Sequence, residues 1–208
     1  MTHDEGVIKY RLDFTPGPAL PTVQLTELIA WQHIARQLGL LGRDPTRYGG
    51  LAYGNLSLRL PNGGFAISAT QSADVENPGP EHYAQVSDWD CAGNRITAIG
   101  PAPPSSESLT HAALYDADPA IGCIIHGHAP TIWQRRVALH LTSTAPDVAY
   151  GTPAMATEVA RLYRESDLAG HGTLAMGGHQ DGVLAFGRDP DEAGLEMLLL
   201  LRRALSLG

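Results

Sequence analysis

Apolar and polar residues follow two different periods along this chain of 208 residues. Short alternating or β-branched stretches predict strands at 7–14, 51–60, 64–68, 83–87, 95–98, 121–128, 172–176 and 182–186. Apolar residues at helical spacing, in two cases preceded by an N-cap residue and a proline, predict helices from 22 to about 39 or 42, at 106–116, at 152–166 and at 189–207. After the first strand, the order is helix, strands, helix, strand, helix, strands, helix.

Turn residues between the strands indicate how the strands pair. Asn62-Gly63 and Gly93-Asn94 are typical of tight turns, and most strands follow one another without an intervening helix. We therefore predict an α/β (α+β) fold in which a central, mainly antiparallel β-sheet is covered by helices. The length favours a single domain, with 1–21 as an N-terminal strand and linker and 22–208 as the domain itself.

Charge and composition exclude several classes of protein. The 14 Lys and Arg against 22 Asp and Glu give a net charge of -8, which argues against a nucleic-acid partner because phosphate backbones are bound by clustered cations. No apolar run approaches the ~20 residues of a membrane span, and the first six residues are polar and acidic, unlike a signal peptide. Two cysteines, Cys91 and Cys123, are too few for a disulfide framework and suggest a reducing compartment. We expect a cytoplasmic protein that does not associate with membranes.

Lysine occurs once, at Lys9, in the segment that precedes the first long helix. A mechanism that depends on a buried Schiff-base lysine therefore has no plausible candidate. Neither a Gly-Lys-Ser/Thr nucleotide loop nor a G-x-G-x-x-G dinucleotide motif is present. Chemistry must come from the nine histidines, the carboxylates, the hydroxyls or a bound metal.

His126-Gly127-His128 is the strongest candidate for chemistry. It ends a predicted strand, where residues i and i+2 point to the same face, so both imidazoles should project together. Two neutral imidazoles at this spacing are suited to a divalent metal. The alternative is a surface strand that happens to carry two histidines.

Two further segments carry candidate groups. Ser105-Ser106-Glu107 lies at the start of the predicted helix 106–116, with Glu107 in its first turn, and His111, four residues on, shares a helix face with Glu107. The serines and the carboxylate have an alternative role in capping the helix and complementing its dipole. His179 lies in the glycine-rich loop 176–182, where the alternatives are an ordinary turn histidine and an Asp181-Gly182 turn pair.

Hydroxyl-rich loops could surround a phosphate with neutral donors. Gly54-Asn55-Leu56-Ser57 and Ser68-Ala69-Thr70-Gln71-Ser72 lie on or after predicted strands, and Ser105 and Ser106 add to them. Asn55, Ser57, Thr70, Ser105 and Ser106 are therefore candidate phosphate-binding residues. The alternative for each loop is the ordinary enrichment of turns in serine, threonine and glycine.

In this order, the motifs Gly54-Asn55-x-Ser57, Ser105-Ser106-Glu107, His126-x-His128 and the glycine-rich loop at His179 resemble the class II aldolase/adducin family. The resemblance covers about 22–205. It implies a sheet covered by helices, a homotetramer with active sites between subunits, and Zn²⁺ or another divalent ion such as Mn²⁺, Co²⁺ or Ni²⁺. By motif match, the metal ligands would be His126, His128, His179 and Glu107. Glu107 would also be the catalytic acid/base, and Asn55, Thr70, Ser105 and Ser106 would match the phosphate-binding loops.

Two departures from the family pattern bear on the substrate and the reaction. The sugar-phosphate aldolases of the family have Thr-Gly where this chain has Thr70-Gln71, and loss of that glycine affects close backbone approach to a phosphate. The aldolases also use a tyrosine from a neighbouring subunit as a proton donor. Tyr150 is the nearest candidate for that role, with a hydrophobic residue at a strand end as the alternative.

The resemblance implies a metal-dependent lyase of carbohydrate metabolism. Our first expectation is an aldolase that cleaves a carbon–carbon bond in a small sugar or hydroxy-keto compound, phosphorylated or not, through a metal-bound enediolate. A sugar-phosphate dehydratase, a decarboxylase or an epimerase could use the same site. A non-catalytic, adducin-like binding module is a further alternative, but it gives no reason to keep three histidines and a glutamate at four motif positions.

Overall fold

The computed structural model describes residues 6–207, so the acidic residues 1–5 considered above lie outside the described part. The strands are β1 (Arg11–Pro16), β2 (Gly42–Arg43), β3 (Ala52–Tyr53), β4 (Asn55–Arg59), β5 (Phe65–Ser68), β6 (Tyr83–Asp90), β7 (Arg95–Gly100), β8 (Cys123–His128), β9 (Thr173–Ala175) and β10 (Gly182–Gly187). The helices are α1 (Thr22–Gln37), α2 (Ser108–Ala117), α3 (Pro130–Gln134), α4 (Pro153–Glu165), α5 (Leu168–His171) and α6 (Pro190–Leu205). Short 3₁₀ turns occupy Tyr48–Gly50 and Pro80–His82.

Eight strands form one sheet in the order β1-β7-β6-β5-β4-β8-β10-β9. Every neighbouring pair in it is antiparallel except β1 with β7, which is parallel. The parallel strand is β1, which reaches the edge of the sheet from the N-terminal segment rather than through a hairpin. The predicted fold class, a mainly antiparallel sheet covered by helices, is confirmed.

Helices cover both faces of this sheet, and each face has its own hydrophobic core. On one face, α2 and α4 pack through Leu109, Leu114, Met155 and Val159 against sheet residues that include Ile124. On the other face, the core contains Leu25 and Leu28 of α1, Met197 and Leu200 of α6, and sheet residues Leu56, Ala66, Ile125 and Val183. Because successive strand residues alternate between the two cores, each strand position has a defined face.

The main predicted helices are present, and their caps behave as the sequence indicates. The Thr152 hydroxyl accepts a hydrogen bond from the Met155 backbone N–H at 3.3 Å, and the Asp189 carboxylate accepts one from the Glu192 N–H at 2.8 Å. These bonds satisfy N–H groups that the first helical turn leaves unpaired. Proline follows each cap residue, as it commonly does at the first helical position.

Several predicted boundaries are wrong, for identifiable reasons. The first strand begins at Arg11 rather than residue 7, because its partner β7 begins only at Arg95. The predicted strand 51–60 is interrupted at Gly54, whose φ of 81° lies in the left-handed region. The second helix begins at Ser108, not at 106, so Glu107 precedes the helix instead of lying in its first turn. The short helices α3 and α5 were not predicted, since neither is long enough to show a clear apolar period.

Within residues 6–207, none of the helices combines the length and the apolarity needed to cross a membrane.

Candidate functional site

Two of the candidate histidines lie at the end of β8, in the middle of the sheet. His126 and His128 point to the same face of the sheet, and Gly127 points to the other face, where a Cβ atom would lie 3.3 Å from the Leu40 Cβ. In the sheet register His126 lies opposite Asn55 of β4, whose side chain is also buried. The predicted pairing of the two imidazoles on one strand face is confirmed.

The third histidine, His179, is held by the tight loop between β9 and β10. Its backbone N–H donates to the Met176 carbonyl at 3.1 Å, and its own carbonyl accepts from the Gly182 N–H at 3.0 Å. The glycines before it are sterically required, because a Cβ atom on Gly177 or Gly178 would lie 2.1 or 2.0 Å from a backbone oxygen. The loop can therefore pass close to neighbouring backbone and return His179 to the sheet.

Together the three histidines form a compact, buried group. One potential ligand atom from each of His126, His128 and His179 lies within 4.8 Å of the others, and their exposed fractions are 0, 1 and 4%. The Nδ1 atom of His126 lies 3.3 Å from the Val183 carbonyl oxygen, whereas its Nε2 atom is buried without a hydrogen-bond partner in the described structure. Three convergent imidazoles, one with an unsatisfied buried nitrogen, fit the coordination of a divalent metal.

The charge state of His126 and His128 also suits a metal. Burial lowers the pKa of His126 well below its usual range, and the proximity of His179 and His111 lowers it further. The pKa of His128 is also lowered well below its usual range, first by burial and then by the nearby His179, His126 and the Arg47 cation. A lowered pKa keeps each ring neutral near pH 7, and the neutral imidazole is the form that donates a lone pair to a metal.

Glu107 brings a carboxylate to the histidine group. It is 2% exposed and stands immediately before α2, with one carboxylate oxygen 3.5 Å from the His179 Nδ1 atom. The other carboxylate oxygen accepts a hydrogen bond from the Thr110 hydroxyl at 2.9 Å. Thr110 therefore fixes the orientation of the carboxylate, while the first oxygen faces the histidines.

The hydroxyl-rich loops converge on the same end of the sheet. The Thr70 backbone N–H donates to the Pro103 carbonyl at 3.0 Å, and the Ser105 N–H donates to the Ser68 carbonyl at 3.1 Å. These bonds join the loop after β5 to the segment that carries Ser105, Ser106 and Glu107. Thr70, Ser105 and Ser106 are thereby brought together beside Glu107, and their role in binding phosphate stays a prediction.

Ser57 is placed differently from the other hydroxyl residues. Its Oγ atom is fully buried, 2.7 Å from both the His111 Nδ1 atom and the Tyr115 hydroxyl oxygen. Burial lowers the pKa of His111 to about 3, so this ring is neutral at physiological pH. The three side chains form a polar contact between β4 and α2, and the predicted role of Ser57 in phosphate binding is untested.

Gln71 stands where the family's aldolases have glycine, and the backbone there keeps a conformation typical of glycine. Its φ is 59°, in the left-handed region that non-glycine residues seldom occupy. The Gln71 side chain accepts a hydrogen bond from the Ala52 N–H at 3.0 Å, which ties this loop to β3.

Tyr150, the candidate proton donor, packs directly against the histidine group. Its ring stacks on His179 with a centroid distance of 4.4 Å and an interplanar angle of 23°. The residue is 8% exposed and belongs to the same chain as the three histidines. The structure thus brings Tyr150 to the site, and its role in proton transfer stays a prediction.

Sequence reasoning missed a second group of side chains beside His128. The Tyr48 ring meets the His128 ring edge-on at a centroid distance of 4.5 Å, and the Tyr48 hydroxyl donates to the Asp181 carboxylate at 2.6 Å. The Arg47 guanidinium lies 3.5 Å from the same carboxylate and 4.7 Å from the Tyr48 ring centroid. Burial and the Asp181 carboxylate raise the pKa of Tyr48, which keeps its hydroxyl protonated. The only sequence cue was Asp181-Gly182, which has the ordinary appearance of a turn.

Comparison with known proteins identifies the family. The Class II Aldolase and Adducin N-terminal domain family matches residues 44–205, which include every candidate metal ligand. This chain belongs to the class II aldolase and adducin family. The resemblance drawn from the four sequence motifs is confirmed.

Curated relatives cover only part of the chain. It is 35% identical over 107 residues to methylthioribulose-1-phosphate dehydratase of Gluconobacter oxydans (strain 621H), covering 48% of this chain and 46% of the relative. The corresponding enzyme of Sorangium cellulosum (strain So ce56) is 34% identical over 115 residues, covering 52% and 51%. The matched region thus spans about half the length of these curated relatives.

Solved structures match over nearly the full length and support the fold. YgbL of Escherichia coli, described as a putative aldolase/epimerase/decarboxylase, aligns with a TM-score of 0.66 and 22% identity, covering 90% of each chain. The l-fuculose-1-phosphate aldolase of Thermus thermophilus aligns with a TM-score of 0.65 and 21% identity, covering 88% of this chain and 92% of that one. At this identity the likeness concerns the fold alone.

Proposed function

We propose that this chain is a divalent-metal-dependent lyase that removes water from a small phosphorylated ketose. The sequence favours carbon–carbon cleavage first, with dehydration as an alternative. The curated relatives are dehydratases of a ketose phosphate, so the comparisons favour dehydration over the aldolase reaction.

One observation carries the proposal: three buried histidines and a buried glutamate converge on one point of the sheet. His126, His128 and His179 offer ring nitrogen atoms within 4.8 Å of one another, and Glu107 lies beside His179. A binding module has no need of three histidines and a glutamate gathered at one buried point, because burying polar side chains costs free energy. The three histidines would hold the ion, which on binding would supply a Lewis acid for a substrate carbonyl.

Glu107 is the group that we assign to proton transfer. In a ketose with hydroxyls on the two carbons after the ketone, its carboxylate takes the proton from the first of these carbons. The electron pair forms a carbon–carbon double bond as the hydroxyl on the second carbon leaves, and that hydroxyl accepts the proton and departs as water. The resulting enol then rearranges to a diketone. Thr110 holds the carboxylate by the hydrogen bond at 2.9 Å, so the same oxygen can face the substrate throughout.

Residues around this centre would position the substrate. Thr70, Ser105 and Ser106 lie on linked segments beside Glu107, and the hydroxyls of Ser105 and Ser106 would be the donors to a phosphate group. Asn55, opposite His126, would contribute an amide from the neighbouring strand. Tyr150, stacked on His179, is the second candidate for moving a proton.

The reaction can be tested by the product that is released. The purified protein would be loaded with Zn²⁺, Mn²⁺, Co²⁺ or Ni²⁺ and incubated with methylthioribulose 1-phosphate and with simpler ketose phosphates. Dehydration gives a product lighter by one water in mass spectrometry, whereas aldol cleavage releases an aldehyde that a coupled reductase detects. We expect the dehydrated product and no aldehyde.

His126→Ala is the matched control, since it removes one nitrogen donor without touching Glu107. We expect this variant to lose bound metal and activity together. Aldehyde release by the wild type would restore the aldolase alternative. Full activity in chelator-treated, metal-free protein would overturn the metal-dependent mechanism.

The homotetramer and the cytoplasmic location are also parts of this proposal. Leu195 and Leu199 of α6 are 53% and 49% exposed, although neighbouring Met197 and Leu200 are buried in the core. A half-exposed apolar row on a long helix favours contact with another subunit. The free thiols of Cys91 and Cys123 accord with a reducing compartment.

A further inference from the structure

Lys9, the single lysine of the chain, lies beside the candidate site, although 117 to 170 residues of sequence separate it from the three histidines. The Lys9 Nζ atom lies 3.6 Å from the centroid of the Tyr150 ring, and it donates to the Tyr150 carbonyl at 3.5 Å. Tyr150 in turn stacks on His179 at 4.4 Å. One aromatic ring therefore separates the ammonium group from a candidate metal ligand.

The N-terminal segment that carries Lys9 is fixed against the hydroxyl-rich loops. The Thr70 hydroxyl donates to the Gly6 carbonyl at 3.2 Å, and the Tyr10 hydroxyl donates to the Ser105 carbonyl at 2.7 Å. Between these two contacts, the Lys9 carbonyl accepts from the Asn94 side-chain amide at 3.1 Å. The backbone on both sides of Lys9 is thus tied to the body of the domain.

The lysine side chain also approaches the second hydroxyl segment. A Cβ atom on Gly151 would lie 3.9 Å from the Lys9 Cδ atom and 3.0 Å from the Ser106 carbonyl oxygen. Gly151 therefore lies between the Lys9 side chain and the Ser106 backbone. The Lys9 side chain thus lies over the Tyr150 ring and near the Ser106 backbone, and the segment that carries it is bonded to Thr70.

This placement supplies a charge that the hydroxyl-rich loops lack. The segments 54–57, 68–72 and 105–106 contain neither lysine nor arginine, so their donors are hydroxyls, an amide and backbone N–H groups. A dianionic phosphate is bound more strongly when a cation joins such neutral donors, because charge-assisted hydrogen bonds are about twice as strong as neutral ones. A flexible lysine is suited to this role as a point charge on a phosphate.

We propose that Lys9 is a substrate-binding residue, which the N-terminal segment delivers to the site to contact the phosphate group of the substrate. This inference rests on the proposed function, since it assumes a phosphorylated ketose. It extends the site beyond residues 44–205, the region shared with the family, to a segment that is not part of that match.

The test measures the binding of inorganic phosphate, so it does not depend on turnover of a substrate. Isothermal titration of the metal-loaded full chain with phosphate would compare the wild type with Lys9→Met, which keeps the length of the side chain but removes its charge. Arg11→Met is the matched control, because Arg11 lies two residues further on the same segment with its side chain 77% exposed and 3.6 Å from Asp13. Lys9→Arg tests whether a cation alone restores binding.

We expect Lys9→Met to bind phosphate about 10- to 100-fold more weakly, the usual loss for one hydrogen bond to a charged group. Arg11→Met should stay within about 2-fold of the wild type, and Lys9→Arg should recover most of the affinity. Urea midpoints and metal content, measured on each variant, should match those of the wild type, which separates a binding defect from misfolding.

Three results would overturn the inference: phosphate affinity unchanged in Lys9→Met, an equal loss in Arg11→Met, or no phosphate binding by the wild type. The product assay of the proposed function is independent of this titration. Dehydration without a Lys9 effect would reject only the role of Lys9, whereas phosphate binding through Lys9 without dehydration would reject only the reaction.

Discussion

The hydrogen bond between Tyr48 and Asp181 offers a quantitative test of how the site is assembled. It joins the loop before β3 to the loop that carries His179, across 133 residues of sequence. Both partners have left-handed backbones, with φ of 49° for Tyr48 and 64° for Asp181. Such conformations cost about 1–3 kcal/mol each in non-glycine residues, so other contacts must stabilise them. The 2.6 Å bond to a carboxylate that is nearly buried is the contact to examine.

Tyr48→Phe removes the hydroxyl but keeps the ring that packs on His128. Among the described residues, the Asp181 carboxylate then retains the Arg47 guanidinium at 3.5 Å. Hydrogen bonds to charged groups contribute about 1.5–3 kcal/mol, and we expect the free energy of unfolding to fall by about 2 kcal/mol. Asp181→Asn should cost less, about 1 kcal/mol, because asparagine also tolerates the left-handed region and keeps an acceptor oxygen.

A double-mutant cycle isolates the bond itself. Urea unfolding of metal-free wild type, both single variants and the double variant at pH 7 would give the coupling free energy, which we expect to be about 1 kcal/mol or more. Zn²⁺ affinity should also fall in Tyr48→Phe, because the bond restrains the loop that holds His179. A coupling free energy below about 0.5 kcal/mol, with Zn²⁺ affinity unchanged, would refute this account of the loop.

Three further predictions concern the metal site, acid stability and assembly. Glu107→Gln should keep most of the metal, measured by elemental analysis, and should lose at least about 100-fold in kcat, because general acid–base groups contribute about 10²–10⁴-fold. Near-full activity of this variant would show that Glu107 has no role in proton transfer. The pKa of His111, about 3 in the folded protein, lies below the value of about 6.5 in the unfolded chain, so the neutral ring stabilises the fold fully above about pH 6.5 and progressively less as the pH falls toward 3. Between pH 7 and pH 5, the free energy of unfolding in urea should therefore fall by about 2 kcal/mol less in His111→Gln than in the wild type. Equal decreases in the two proteins would contradict the assignment. Light scattering at micromolar concentration should show a tetramer that Leu195→Asp or Leu199→Asp weakens, whereas a monomeric wild type would refute the assembly.

Local sequence patterns determined the longer elements and the histidine pair on β8. His126 and His128 could be assigned to one face because strand residues alternate by two, a property that needs no knowledge of the rest of the fold. The caps at Thr152 and Asp189 were likewise predictable, since each side chain bonds to a backbone N–H only three residues away. Glu107 and His179 followed from the family resemblance of their motifs rather than from any local period.

Tertiary structure alone decided which other side chains reach the site. Lys9 contacts Tyr150 across 141 residues, and Tyr48 contacts Asp181 across 133, so neither pair produces a periodic or short-range pattern. Ser57 is the converse case, since it stands in the family's motif but its hydroxyl contacts His111 and Tyr115. A motif specifies which side chains are present. The contacts of each side chain depend on how distant segments pack, and the whole core determines that packing rather than the neighbouring residues in sequence.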